Sequence, residues 1–451
     1  MKSGVMVRVL WCLLALSGAL INGGCGESKQ PKVLDALVFP SPPDEARFQF
    51  ERTFRSSADV EPKDRKSMAM MEMLTGNAGL EGGTGFSKPY GIAVRKGIVY
   101  VSDTIHRSVL RFDPENGNFR EVGKEEPGVL AKPMGIALDK AGNLYVMDAT
   151  KKYVMIYSPE GKYLRAVGGK NFFDRPSAVA VNPEGTRVFA VDTSSSQGKP
   201  ESHRIRVFDG QSGGHLYDIG KRGDGQGEFN LLRDARVSPD GLLYVVDGGN
   251  FRVQAFTQEG KFVRSFGGVG RQLGQFARPK GIAVDTEGNL YVSDASHGNF
   301  QIFNKDGQLL LFVGDRGPET ERAKYLLPAM IDVDEDGRVY LVDQGYRKVD
   351  VYRPAALGEK EGFLGRAFGK LENLKPVKEK EKESGKAKEP EKAKEPEKAK
   401  EPEKAKEPEK AKEPEKAKEP EKAKEPEKEE KKEEKKEEKK EEKKEEKKEE
   451  K

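Results

Sequence analysis

Four histidines, His106, His203, His215 and His297, and two cysteines, Cys12 and Cys25, are the residues of this 451-residue chain that could bind a metal ion or act as strong nucleophiles. Their spacing assembles neither chemistry. A protein zinc centre takes three or four ligands, commonly with two of them a few residues apart, and no two of these six residues stand that close. The stretch DVDEDG at 332–337 imitates the opening of a calcium loop, where alternate carboxylates supply oxygen ligands. It aligns, however, with AVDTEG at 283–288, so an ordinary turn is the favoured reading. No catalytic residue, metal or cofactor is therefore expected.

Cys25 points to a different chemistry. Lys2 and Arg8 flank the apolar run VLWCLLALSGALI, which is followed by NGGC and then by polar sequence. That is the order of a secretory signal rather than of a spanning helix. The segment resembles bacterial lipoprotein signals, in which a cysteine after small residues becomes the lipidated first residue of the mature chain; Gly23, Gly24 and Cys25 match, and Asn22 stands where that pattern prefers leucine. The resemblance implies a signal peptide over 1–24, lipidation of Cys25, and an exported protein held to the membrane of the bacterial envelope. Cys25 would then be the only cysteine left in the mature chain. Residues 25–46 read as a polar, Pro-bearing tether.

The elements that must position any site come from a repeat. Asp103, Asp148, Asp192, Asp247, Asp294 and Asp343 recur at separations of 45, 44, 55, 47 and 49 residues. Each unit runs in one order: a basic residue and Pro, a short apolar strand such as GIAV, a turn such as DTEG, a strand such as NLYVSD, a third such as FQIF, another Gly turn, and a fourth such as KFVRSFGG. Alternating patterns between Gly-bearing turns mark antiparallel strands. Four strands repeated radially make a ring that leaves no long exposed edge. The expected fold class is all-β, a six-bladed β-propeller of four-stranded blades over residues 47–374.

RPKGIAVDTEGNLYVSD at 278–294, NFRVQAFTQEGKFVRSFGGVGRQLGQF at 250–276 and SHRIRVFDG at 202–210 carry a family resemblance: over about residues 85–353 the chain resembles NHL-repeat proteins. Unit three departs from the pattern with the long loop TSSSQGKPES, and unit four reads LLRDARVSPDG, without the Pro and Gly. Three of the histidines follow a repeat aspartate, where the NHL pattern itself prefers His-Arg, which assigns them structural duty. The sixth unit has only three strands before Arg353 and Pro354. Residues 47–54, RFQFERTF, alternate like a fourth strand and are expected to close the ring.

Alternate residues of the innermost strands face the crowded centre. Gly91, Gly135, Ala178, Asp234, Gly281 and Met330 form one aligned position; Ala93, Ala137, Ala180, Arg236, Ala283 and Asp332 form another. Asp234, Arg236 and Asp332 are the charged exceptions. They read first as an ion-pair plug that specifies closure, and second as a site for a small polar ligand or ion. The loops entering the first strands bring Lys88, Lys132, Arg175, Arg233, Arg278 and Lys280 to one face, and the loops leaving the second strands bring Arg107, Lys152, Arg204, Arg252 and Arg347 to the same face. Such a surface favours an anionic partner.

The C-terminal segment 375–451 is of another kind. Its last 76 residues, Pro376 to Lys451, hold 29 Lys and 29 Glu, so the remainder keeps 80 − 29 = 51 basic and 76 − 29 = 47 acidic residues and the whole chain's net charge of +4. KAKEPE recurs seven times from Lys386 to Glu427, and a Pro every six residues forbids a continuous helix. From Glu429 the period is EEKK, which sets like charges four apart. A disordered, solvated spacer is the expectation. Together these features describe a monomeric, non-enzymatic binding or scaffold module of the envelope, whose partner is an envelope protein or another anionic species. The alternative is a propeller enzyme, a lyase or hydrolase with its site at the central channel, because some propellers with related repeats are of that kind. Nucleic-acid binding, known in some eukaryotic NHL proteins, conflicts with the export signal.

Overall fold

The computed structural model describes residues 35–61, 83–193 and 203–373. The leader 1–24, Cys25, residues 194–202 of the long loop in unit three, and the segment 375–451 lie outside them.

Six antiparallel sheets form the blades. The first is Pro89–Arg95, Ile98–Asp103, Ser108–Asp113 and Asn118–Val122, and the fifth, in the same order, is Pro279–Val284, Leu290–Asp294, Asn299–Phe303 and Leu309–Val313. Each innermost strand packs beside the innermost strand of the next blade, and Pro328–Val333 of blade six packs beside Pro89–Arg95 of blade one, which closes the circle. Burial follows radius. The second strands Leu144–Asp148 and Leu290–Asp294 are buried at every residue, because neighbouring blades cover both faces. The outermost strand Phe262–Gly267 alternates half-buried with exposed residues, which is why its sequence alternates and that of the second strand does not. In all six blades the turn after the first strand carries a glycine with φ between +69° and +88° (Gly97, Gly142, Gly185, Gly241, Gly288 and Gly337), a conformation that side chains with a Cβ disfavour.

Phe48–Phe54 supplies the fourth strand of blade six. It pairs antiparallel with Lys348–Pro354, with Phe50 opposite Tyr352 and Phe54 opposite Val349. A buried network fastens it: Thr53 Oγ1 donates to Asp350 Oδ1 (2.7 Å), and Lys348 Nζ donates to Asp350 Oδ2 (2.7 Å). Beside it Arg338, fully buried, donates through Nε to Glu51 Oε2 at 2.8 Å.

Two features correct the sequence reading. The segment read as a tether over 25–46 contributes a fifth strand to blade six: Val38–Phe39 pairs with Phe48 and Gln49, and the Phe39 ring packs edge-on to Tyr352 at 5.8 Å. ALVF at 36–39 is the apolar patch that makes this favourable. At the other end the helix Gly362–Asn373 seals the joint between blades six and one. Leu364 and Ala367 are buried there, Phe368 is nearly so, and the Arg52 guanidinium lies 3.6 Å from the Phe368 ring centre. This helix is short and Gly-rich, and its few apolar residues form no long periodic signal.

Candidate functional site

The channel is built where first strands meet. A Cβ added to Gly91 would lie 2.6 Å from the Met134 carbonyl oxygen, and one added to Gly135 or Gly281 would lie 2.7 Å from the Cα of Ala178 or Met330, the equivalent residue of the next blade. Small residues at this position are therefore a packing requirement. Hydroxyls stitch the same seam, with Ser102 Oγ accepting from Gly91 N (2.8 Å) and donating to the Met134 carbonyl (2.6 Å). Asp234 breaks the pattern: its Oδ2 accepts from Ile282 N (3.1 Å) in blade five. Arg236 reaches across the ring, pairing with Asp332 of blade six (3.3 Å) and donating to the carbonyls of Ile282 in blade five and Ile92 in blade one (3.3 Å each). Asp332 in turn accepts from Val94 N (2.8 Å). Three residues from blades four and six thus tie four blades together across the axis. Burial pushes the Asp234 carboxyl up to about 6 despite Arg236, and raises Asp332 too. On the side of the Gly turns, beyond this plug, the channel opens into a cavity of about 320 Å³.

The opposite mouth is cationic. One position before the Gly281 column stand Tyr90, Met134, Ser177, Arg233, Lys280 and Ala329. Arg233 of blade four and Lys280 of blade five are half-buried, and Arg175 and Arg278 rise beside them on the entering loops. Burial and the adjacent Arg233 and Arg278 guanidinium groups lower Lys280 to about 8. Arg233 is lowered by burial and by Arg278 and Arg175, while Tyr90, itself pushed up to about 12 by burial and the Asp234 charge, opposes that shift. Among the described residues no carboxylate forms an ion pair with Arg175, Arg233, Arg278 or Lys280.

The repeat aspartates hold the loops of this face. Asp294 accepts from the backbone N–H groups of Ala277 (2.8 Å), Arg278 (2.9 Å), Ser296 (2.8 Å) and His297 (3.0 Å), so one carboxylate fixes both the entering and the leaving loop. Asp103 does the same with Ser87, Lys88, Ile105 and His106. Residues 276–303, which contain this latch and the first three strands of blade five, match the family model of the NHL repeat. The chain carries an NHL repeat within a six-bladed β-propeller. No curated protein matches it. Among solved structures it is similar to a gluconolactonase from Xanthomonas campestris, with 17% identity, 60% of this chain and 86% of that one covered, and a TM-score of 0.46. A protein of unknown function from Bacteroides thetaiotaomicron gives 17% identity, 67% and 75% coverage and a TM-score of 0.49. Virginiamycin B lyase from Staphylococcus aureus gives 13%, 59% and 94%, and 0.42.

In this propeller the histidines are tied to their surroundings. His106 Nε2 donates to the Gly85 carbonyl (2.9 Å), His297 Nε2 to that of Gly270 (3.2 Å), and His215 Nε2 lies 2.9 Å from Asp218 on the outermost strand of blade three. Buried His203 also has partners, and burial lowers its pKa. Among the described residues no three His, Cys, Asp or Glu side chains converge in a way that could hold a metal ion. Asp334 of the DVDEDG stretch accepts from Tyr340 Oη (2.8 Å) and from Arg338 N and Asp336 N (2.9 Å each), as Asp285 does from Tyr291 and its own turn. It braces a blade turn.

Not every cation assigned to the face is free. Arg204 pairs with Asp218 (2.7 Å), and Arg252 pairs with Asp247 (2.9 Å) while donating to the carbonyls of Gly225 and Glu228. These two are corrected from partner-binding to structural: each lies at the start of a third strand, where a carboxylate stands within reach. Lys88, Lys132, Arg107 and Arg347 are exposed, and Lys152 is half-exposed. Arg107, Lys152 and Arg347 occupy the left-handed position of their loops, with φ from 51° to 61°. The sequence reading missed the apolar residues among them: Ile105, Leu231, Val269, Leu273 and Leu326, all on loops of this face, are 39% to 68% exposed. Isolated in sequence, they show no periodicity; only the ring brings them to one side.

Proposed function

We propose that this NHL propeller is a non-enzymatic binding module, anchored in the bacterial envelope through lipid on Cys25, that captures an anionic protein on the face of the entering and leaving loops. The observation that carries this reading is the coincidence on one face of cations that form no ion pair among the described residues (Lys88, Lys132, Arg175, Arg233, Arg278 and Lys280) with exposed apolar side chains such as Ile105 and Leu273. Protein-binding surfaces combine apolar anchors with a charged rim, and the rim accelerates encounter with a partner of opposite sign. Within the channel the Arg236 guanidinium is committed to Asp332 and two carbonyls, which supports a structural role for that residue.

The test is capture from envelope extract by immobilised protein, compared with the quadruple variant K88E/K132E/R278E/K280E. Loss of the captured partner, with an unchanged circular dichroism spectrum, is the expected outcome, together with weakening of wild-type capture as salt rises. Undiminished capture by the folded variant would move the site to another face.

A further inference from the structure

We propose that the mouth of the channel on the entering-loop side is a built site for an oxyanion, a phosphate or carboxylate group, held by Arg233 and Lys280 with Arg175 and Arg278 around them. The site deepens the reading above, on which it rests in that an anionic partner would present such a group there.

Placement argues first. Ser177, Arg233 and Lys280 occupy the same position on the first strands of three consecutive blades, which lie side by side. Their side chains therefore share one sector of the mouth. Arg233 is seated: a Cβ at Gly248 would lie 2.6 Å from its Cγ and 3.1 Å from its Nε, so the loop leaving the second strand of blade four gives up its side chain to make room. The other blades carry Thr104, Ala149, Thr193, Ala295 and Gln344 there.

Charge argues second. The acidic groups nearest these cations have other work. Asp294, the carboxylate that acts on Lys280, accepts four backbone N–H groups. Asp234, below, accepts from Ile282 N and from its neighbour Ala235 N, and Asp174 has partners of its own. The Ser177 Oγ is buried and, among the described residues, has no hydrogen-bond partner, so blade three offers a hydroxyl on the same sector of the mouth. Cations forced together without counterions are destabilising unless something anionic joins them. Guanidinium and ammonium groups around a hydroxyl donor suit the several acceptor oxygens of a phosphate or carboxylate.

Burial and the neighbouring like charges, which together lower Lys280 to about 8, give the site a signature. A bound anion favours the charged ammonium, so binding at pH 8 draws a proton onto Lys280. Calorimetric titration of the purified protein with inorganic pyrophosphate at pH 8, in two buffers of different ionisation enthalpy, measures this uptake. Because pyrophosphate still carries a proton at pH 8 that binding can release, the uptake by Lys280 is read as the excess of protons taken up by the wild type over Lys280→Met. Arg233→Met and Lys280→Met should each lower affinity about tenfold or more, since each removes a charge-assisted hydrogen bond, and Lys280→Met should also abolish the uptake. A parallel titration with citrate separates the sources: equal binding extends the site to carboxylates, and pyrophosphate alone restricts it to phosphates. No binding of either anion, or unchanged affinity in both variants, overturns the proposal. The rim variant K88E/K132E should bind pyrophosphate as the wild type does. If pyrophosphate binds while no partner is captured from extract, the partner reading fails and the anion site stands.

Discussion

Replacing Arg236 with Met should destabilise the ring in a pH-dependent way. Arg236 is the cation whose charge opposes the upward shift of both Asp234 and Asp332, and it also satisfies carbonyls in blades one and five. Removing one partner of a buried ion pair costs about 3–5 kcal/mol, because the remaining charge is left without compensation. The carboxylates set the pH window. Asp234 titrates near 6 when folded, against about 3.9 for a free aspartate. A raised carboxyl holds its proton more tightly in the folded state, so stability falls as pH rises from about 4 to 6, by about 3 kcal/mol for this group, and is constant above that range. Without Arg236 both folded values move higher, which deepens the loss and extends it towards neutral pH. Arg236→Met should therefore be most destabilised near pH 7.5 and recover substantially near pH 5, where the carboxyls are protonated. D234N/R236M/D332N should regain most of the loss at pH 7.5. The chain's single tryptophan is Trp11, in the leader, so urea unfolding is best followed by far-ultraviolet circular dichroism. A loss below about 1 kcal/mol, or one equal at pH 5 and pH 7.5, would refute the plug as a charge-balanced tie.

Lys348→Met should cost about 3–5 kcal/mol in the same assay, since it strands Asp350 where neither side chain of the pair is more than 2% exposed. Gly281→Ala should lose about 1–3 kcal/mol through the clash with Met330, whereas Gly268→Ala, with nothing within 4 Å of its added Cβ, should be neutral. Gly369→Ala, in the closing helix and equally unobstructed, should gain about 0.5–1 kcal/mol by favouring helix. Cys25→Ser should move the protein from the membrane to the soluble fraction on cell fractionation; unchanged partitioning would place the anchor elsewhere.

The blades were legible because their physics is local and repeated. Six Gly turns, six latching aspartates and the shift from largely apolar second strands to alternating fourth strands each leave a mark at fixed intervals. The strand at 48–54 was legible for the same reason, since RFQFERTF alternates like the edge it completes. The segment 36–39 and the helix 362–373 left no such mark. Val38 and Phe39 are a two-residue strand whose value depends on Tyr352, more than 300 positions away, and the helix is defined by where Leu364 and Phe368 land rather than by its own period.

The site was visible mainly where the repeat is broken. Blade four loses the Pro and Gly of its neighbours and carries Arg233, Asp234 and Arg236 in successive or alternate positions of one strand. A strand that departs from its siblings without compensation would weaken the ring, yet each departure here has its complement elsewhere: Gly248 beneath Arg233, Ile282 N opposite Asp234, and Asp332 opposite Arg236. Two of those three complements settle the ring. The third seats Arg233 beside Lys280 where, among the described residues, no carboxylate forms an ion pair with it, and that is the arrangement the proposed anion site would use.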